Sequence, residues 1–417
     1  MRYRKAFALA LLAGTVSLEA FAAGGTTGAS PQASPQATPP TSPPAAPAAA
    51  PAALPPPVPL EQAVMAAAND LFTKAQISDD KVLLVVDPLI DGATGFQTVE
   101  AGRIGERIAA LVKAKYPRFD LQRFDAATVA KQPVVLIGTF TPISAAGQAQ
   151  GPKDAYRVCL ALADLKSGKL VSKGFARAQP TGVNPTPVAF FRDSPAWVAD
   201  AATEAYIKSC QGTKIGDPIK PLYVERIEAA AFVADAIKAY DEGKYKAAAE
   251  LYEKAAATKG GDQLRVYNGL YLTSQKLGKR KEAADAFAKL VDYGFKSSDL
   301  AVKLLFQVGR AEFVRDKGIS GSYPMWLSSI AAKAGKSEDC IEVVGHTSHT
   351  GTPEANDALS LKRASVVKAM LAKQAPALAT KAREKGVGWR ENLIGTGRDD
   401  ASDALDRRVQ FKIGKCT

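Results

Sequence analysis

The chain has 417 residues, with 54 Lys and Arg against 42 Asp and Glu, for a net charge of +12. That length exceeds one ordinary domain and predicts two or three. The basic excess suits contact with anionic wall polymers or lipids, although basic residues more often form a solvated surface. No nucleic-acid-binding module stands out.

The N-terminus reads as an export signal. Arg2, Arg4 and Lys5 precede an apolar run from Ala6 to Val16, and Ala20-Phe21-Ala22 forms a cleavage site. A cleavable signal peptide over residues 1–22 is therefore expected, with retention as an anchor the alternative. Cleavage removes three basic residues and one acid, leaving +10. The apolar run is short for a membrane span. Residues 23–60 are rich in Pro and Ala, cannot bury a core, and predict a disordered tail.

Residues 61–212 predict an α/β domain. Lys81–Asp87 and Pro133–Gly138 are apolar runs of buried-strand type. Val99–Tyr116 carries Ile104, Ile108, Leu111 and Val112 at helical spacing, and Phe119–Phe124 alternates as a short strand. Tyr156–Asp164 and Lys169–Ala176 form a hairpin around Lys166-Ser167-Gly168, and Pro195–Cys210 predicts a helix. This order resembles, by topology, the periplasmic domains of the CsgG, FlgO and LpoB kind, which implies binding or assembly rather than catalysis. Gly102 and Gly105 fall inside the helical pattern, so they are not a dinucleotide loop.

Residues 213–221 predict a linker. Across 222–298, Gly243, Tyr245, Ala248, Tyr252 and Ala255 recur 35 residues later as Gly278, Arg280, Ala283, Phe287 and Leu290. The period resembles that of the tetratricopeptide repeat, whose small residues let paired helices approach. Two such hairpins are too few to stand alone and should pack on a neighbour. They imply either a surface for an envelope protein partner or a helical spacer.

Residues 300–417 predict, in order, a strand at Leu304–Phe313, a helix at Trp326–Ala334, a strand over Ile341–Val344 and a helix from near Asn356 to Leu378. A strand and turn at Leu393–Gly397 and a last strand at Arg408–Ile413 follow. The run Gly345-His346-Thr347-Ser348, then Asn356, Leu359, Ser360, Arg363 and Ala364, and later Gly395-Thr396-Gly397 and Asp406-Arg407-Arg408-Val409, resembles the OmpA-like peptidoglycan-binding domain. The fold class is then multidomain α/β plus α: an N-terminal α/β domain, two tetratricopeptide-like helical hairpins and a C-terminal OmpA-like α/β sandwich.

The resemblance implies a site for the diaminopimelate-type stem peptide of peptidoglycan. Its members would be Gly345, His346, Thr347, Ser348, Gly351, Asn356, Leu359, Arg363, Arg407 and Arg408. In the family an aspartate and the helix arginine are implied to clamp the zwitterionic end of diaminopimelate, a matched use of carboxylate and guanidinium. Here Ser348 stands at the aspartate position and Asp406 at an asparagine position. Weakened or altered wall binding is expected, with Asp357, Asp399 or Asp400 as substitute carboxylates.

Four cysteines fall in two pairs, Cys159 with Cys210 and Cys340 with Cys416. An even count in an exported chain predicts disulfides, with buried free thiols the alternative. For the second pair, the OmpA resemblance implies antiparallel strands that bring Cys340 and Cys416 to one edge. His346 and His349 are the only histidines, too few ligands for zinc without nearby partners. No catalytic triad or motif-placed acid pair is found, and no metal or cofactor is implied.

The sequence therefore predicts a non-enzymatic scaffold of the periplasm, associated with the cell wall or outer membrane, that holds the stem peptide and a protein partner. The alternative is a regulator or docking module of a wall-synthesis or secretion machine that has lost wall binding.

Overall fold

The computed structural model describes residues 54–148, 153–196, 200–393 and 402–416. The expected signal peptide and most of the Pro/Ala-rich tail lie outside the described residues. Ala53–Thr417 form one compact unit.

The N-terminal part contains α1 (Leu60–Thr73), β1 (Val82–Val86), α2 (Val99–Lys115), β2 (Phe119–Leu121), α3 (Ala126–Val129), β3 (Val134–Ile143), β4 (Ala155–Asp164), β5 (Lys169–Ala178), α4 (Ala189–Asp193) and α5 (Ala201–Cys210). Its sheet runs β2-β1-β3-β4-β5, with β1 parallel to β2 and β3, and β3, β4 and β5 antiparallel. Side chains alternate between two cores. Leu136, Leu160 and Leu162 face the α1/α2 side, while Val135, Cys159 and Ala161 face the α5 side.

Two N-terminal expectations change. The tail was expected to run to residue 60, but Val58 pairs with β5, its N–H donating to the Arg177 carbonyl at 3.0 Å. Helix α1, with Ala63, Val64, Ala67, Ala68 and Leu71 buried at helical spacing, was not singled out in the sequence. It lies so close to β5 that a Cβ on Gly174 would sit 2.0 Å from the Ala67 carbonyl oxygen. The helix expected from Pro195 begins instead at Ala201, where Asp200 caps it by accepting from the Thr203 N–H at 2.9 Å.

Four helices follow: α6 (Pro221–Asp241), α7 (Tyr245–Ala257), α8 (Leu264–Lys276) and α9 (Arg280–Lys296). The residues that recur 35 apart occupy matching places. Ala248, Tyr252 and Ala255 on α7, and Ala283, Phe287 and Leu290 on α9, are all buried. Gly243 and Gly278 precede these helices with φ of +73° and +71°, which glycine adopts without strain.

The C-terminal part contains β6 (Asp299–Val302), α10 (Lys317–Ser320), α11 (Tyr323–Lys336), β7 (Cys340–Gly345), α12 (Pro353–Gln374), α13 (Leu378–Lys381), β8 (Ala382–Gly386), a short 3-10 turn at Ser402–Asp406 and β9 (Val409–Gly414). The sheet order is β6-β9-β7-β8, with β7 parallel to β8 and antiparallel to β9, and β6 antiparallel to β9. Val409, Phe411 and Ile413 share one buried face, as the alternation predicts.

The strand expected at Leu304–Phe313 is not a strand. The first C-terminal strand is β6, and residues 303–316 form an irregular loop closed by a Phe306–Phe313 bridge. Gly309 turns the loop at φ +66°, and Arg363 takes its carbonyls. Of the strand and turn expected at Leu393–Gly397, Leu393 lies in a bend and the rest lies outside the described residues. The strand beside β7 is β8, whose run Arg383, Glu384 and Lys385 is exposed and gives no apolar alternation.

The helices α6–α9 and the C-terminal part share one core. Trp326 of α11 stacks on Phe287, with ring centroids 5.5 Å apart, and its indole N–H donates to the Tyr271 hydroxyl at 2.9 Å. Lys303, just after β6, is buried and donates to the Phe191 and Arg192 carbonyls at 2.9 and 3.0 Å. Burial pushes its ammonium down to about 7. Both expected disulfides, Cys159–Cys210 and Cys340–Cys416, are joined.

Candidate functional site

At the end of β7 the chain must pass helix α12 at very short range. A Cβ on Gly345 would lie 2.0 Å from the Ser360 carbonyl oxygen, and one on Gly386 of β8 2.6 Å from the Ser360 Oγ. Glycine is therefore required by packing on both strands. Ser360 itself is fully buried; its hydroxyl donates to the Asp357 carbonyl at 2.9 Å and accepts from the Gly388 N–H at 3.0 Å.

Beyond Gly345 the loop is held from both sides. The His346 N–H donates to the Arg408 carbonyl at 3.0 Å, and the Thr347 N–H to the Gly388 carbonyl at 2.9 Å. Gly351 turns at φ +87°, and Thr352 caps α12 by accepting from the Ala355 N–H at 3.3 Å. Asn356, buried in the first turn, donates through Nδ2 to the Thr350 and Thr352 carbonyls at 2.6 and 3.0 Å. Three segments meet at this mouth: residues 346–352, the start of α12, and the turn 387–393.

His346 is fully buried, and neither ring nitrogen has a hydrogen-bond partner. Burial, together with Arg408 and Lys412, holds it down to about 2, so the ring is neutral. Thr347 and Ser348 are also buried, and Leu359 is half-buried.

Arg363 is 1% exposed. Its Nε donates to the Arg310 carbonyl at 3.0 Å, Nη1 to His346 at 3.0 Å and Nη2 to Gln307 at 3.1 Å. The guanidinium also lies 5.2 Å from the Phe306 ring centre. The family resemblance implies that this residue takes the carboxylate of the ligand. In the structure it ties loop 303–316 to the end of β7, and gripping a ligand requires exchanging those bonds.

Arg407 and Arg408 are buried too. Arg408 donates to the Glu391 carbonyl at 3.2 Å. Desolvation lowers it to about 10, against Asp406, Glu391 and Asp299, which favour its charge. Asp406 accepts from the Leu393 N–H at 2.7 Å. Of the expected substitute carboxylates, Asp357 pairs with Arg390 at 2.8 Å, while Asp399 and Asp400 lie outside the described residues.

Sequence reasoning passed over the turn 387–393. Trp389 there meets His349 edge to face, ring centres 4.0 Å apart, and the Arg390 side chain is 57% exposed. The Asn392 amide, oriented to donate, reaches the Thr347 carbonyl at 2.7 Å. The signal was available in the aromatic and the arginine after Val387-Gly388, but nothing local marks that turn as the neighbour of residue 349.

Asp87, at the end of β1, is buried and accepts from the Tyr223 hydroxyl at 2.8 Å; burial pushes its carboxyl up to about 6. The crevice beside it holds about 10 Å³, room for roughly one water. A cleft of about 210 Å³ lies at the opposite end of β7, beside Cys340, Lys412 and Lys415. Among the described residues no group of His, Cys, Asp and Glu is placed to hold a metal ion, and no helix is long and apolar enough to cross a membrane.

Residues 319–403 match the model of the OmpA family. No curated protein matches the chain. Among solved structures, the chain is similar to the periplasmic domain of Helicobacter pylori MotB, at 18% identity over 28% of this chain and 74% of that one, TM-score 0.24. It is similar to the peptidoglycan-associated lipoprotein of Burkholderia pseudomallei, at 23% identity over 27% and 88%, TM-score 0.23. It is also similar to the cell wall anchor of the T6SS from Pseudomonas aeruginosa, at 22% identity over 28% and 81%, TM-score 0.24. The segment 319–403, which carries the β7–α12 loop and its Asn356–Arg363 helix, is an OmpA family domain.

Proposed function

We propose that the protein is a peptidoglycan-associated scaffold of the bacterial envelope, exported to the periplasm, whose C-terminal domain holds the stem peptide of the wall without covalent chemistry. The observation that carries this reading is the OmpA family match over 319–403, which spans the mouth where residues 346–352, the start of α12 and the turn 387–393 converge. Wall peptides are polar and zwitterionic, and this mouth combines main-chain groups, an amide and charged side chains. The helices α6–α9 and the N-terminal α/β part supply surface for a protein partner, a role in keeping with the 35-residue recurrence.

The test is co-sedimentation of the full chain with purified sacculi, with and without excess diaminopimelate-containing peptide. Pelleting that the peptide competes away supports the reading. Protein that stays in the supernatant at every loading overturns it.

A second reading is favoured by Ser348 in the aspartate position together with Arg363 turned onto main chain. In it the C-terminal domain is a docking module of a wall-synthesis or secretion machine and no longer holds the wall. Pelleting by Ser348→Asp alone, with none by the native chain, would favour this reading.

A further inference from the structure

The mouth contains two arginines of very different availability. Arg363 donates to three main-chain carbonyls and is sealed from solvent. Pulling it away would strand those carbonyls in the interior. Arg390 lies at the surface and faces Asp357 in a two-point pair, Nη2 to Oδ1 at 2.8 Å and Nη1 to Oδ2 at 3.1 Å. Their side chains are 57% and 45% exposed. An exposed ion pair contributes little to stability, so exchanging it for a ligand costs little.

The pair stands at the same mouth. Asp357 is the residue after Asn356 in the first turns of α12. A Cβ on Gly388 would lie 2.6 Å from its Oδ1. Arg390 follows Trp389, whose ring meets His349 of the β7–α12 loop at 4.0 Å. One carboxylate, one guanidinium and an aromatic wall are thus grouped within the opening, outside the buried motif residues.

Building on the wall-binding reading above, we infer that Asp357 and Arg390 together take the zwitterionic end of the diaminopimelate side chain, with Trp389 and His349 as the wall along its methylene chain. The ligand's ammonium displaces Arg390 from Asp357, and its carboxylate takes the Arg390 fork that is freed. The two charges are exchanged as a couple, so no isolated charge is left in the complex. Ser348 need not carry an anion in this arrangement. Arg363 becomes a positioning residue that holds the loop on which the mouth is built.

The experiment titrates the full chain with the stem tripeptide ending in diaminopimelate and with the same peptide carrying lysine there, which lacks the terminal carboxylate. Native protein, Arg390→Gln, Asp357→Asn and Trp389→Ala are compared, with melting temperatures as a check on folding. The expected result is a preference of about 10-fold or more for the diaminopimelate peptide in the native chain, with Arg390→Gln lowering that peptide to the level of the lysine one. Asp357→Asn should weaken both peptides, because both carry the ammonium. If the native chain shows the preference and Arg390→Gln keeps it, the inference is overturned and wall binding stands. Sacculus pelleting with no discrimination between the peptides also overturns it. If the native chain binds neither peptide nor sacculi, the wall-binding reading falls as well, a pattern distinct from the other two.

Discussion

Arg363 on α12 donates to the main-chain carbonyl of His346, at the end of β7, across 3.0 Å. That bond crosses from helix to strand inside the domain, and two further bonds from the same guanidinium reach Gln307 and Arg310. One side chain thereby joins three segments distant in sequence.

Replacing it should cost stability before it affects binding. Arg363→Ala leaves three acceptors without this donor, each worth about 1–3 kcal/mol when buried and unpaired. A loss of roughly 3 kcal/mol or more in chemical denaturation is expected. An Arg363→Ala protein that unfolds like the native one but fails to bind peptide would show instead that this arginine serves the ligand alone.

Gly345 should be intolerant of even one methyl group. The Cβ of Gly345→Ala would lie 2.0 Å from the Ser360 carbonyl oxygen, and backbone cannot yield as a flexible side chain can. Overpacking of this kind costs about 1–3 kcal/mol, occasionally more. Thermal melting measures it, and an unchanged midpoint would mean that α12 shifts freely against β7.

His346 sets part of the acid limit of the fold. Its folded value, about 2, lies below the ordinary 6.5 because the ring is buried near Arg408 and Lys412. The unfolded chain therefore takes up a proton first as pH falls. Stability from this residue is complete above about 6.5 and declines below it, by on the order of 3 kcal/mol at pH 4. His346→Leu removes two unpartnered ring nitrogens and should be nearly neutral at pH 7, with a flatter decline toward pH 4. Denaturant midpoints at the two pH values test this; equal acid slopes in the two proteins would contradict it.

The Cys340–Cys416 disulfide should matter for stability and not for the mouth. It joins residues 76 apart at the end of β7 away from Gly345. Chain entropy assigns such a closure about 4 kcal/mol. Cys340→Ser should lower the melting temperature measurably while sacculus pelleting at 25 °C is retained. Loss of pelleting in a folded Cys340→Ser protein would tie the two ends of the sheet together.

The elements most legible in the sequence were those with one dominant signal. The β4–β5 hairpin declared itself through two apolar runs around Lys166-Ser167-Gly168, and the recurrence at 35 residues marked the buried Tyr252 and Phe287. Both disulfide pairs were named from the sequence, the second through the antiparallel strands that the family resemblance implied. Helix α1 was missed although its apolar spacing was present, because alanines, weakly hydrophobic, supply half of that face. Strand β8 was missed because an edge strand with exposed charges has no apolar period. Residues 304–313 look like a strand, yet the Gln307 and Arg310 carbonyls accept from a distant arginine and other main-chain groups bond within the loop, a competition that no local pattern reveals.

By itself the sequence determined the motif residues from Gly345 to Arg363 and the resemblance they carry, because small, turning and capping residues at fixed spacing are local requirements of a close strand–helix packing. Only the tertiary structure decided which charged groups at that mouth face solvent. It buries Arg363 against three carbonyls and leaves Asp357 and Arg390 open beside Trp389 and His349. Exposure depends on which remote segments fold over a side chain, and that is a property of contacts between residues tens of positions apart.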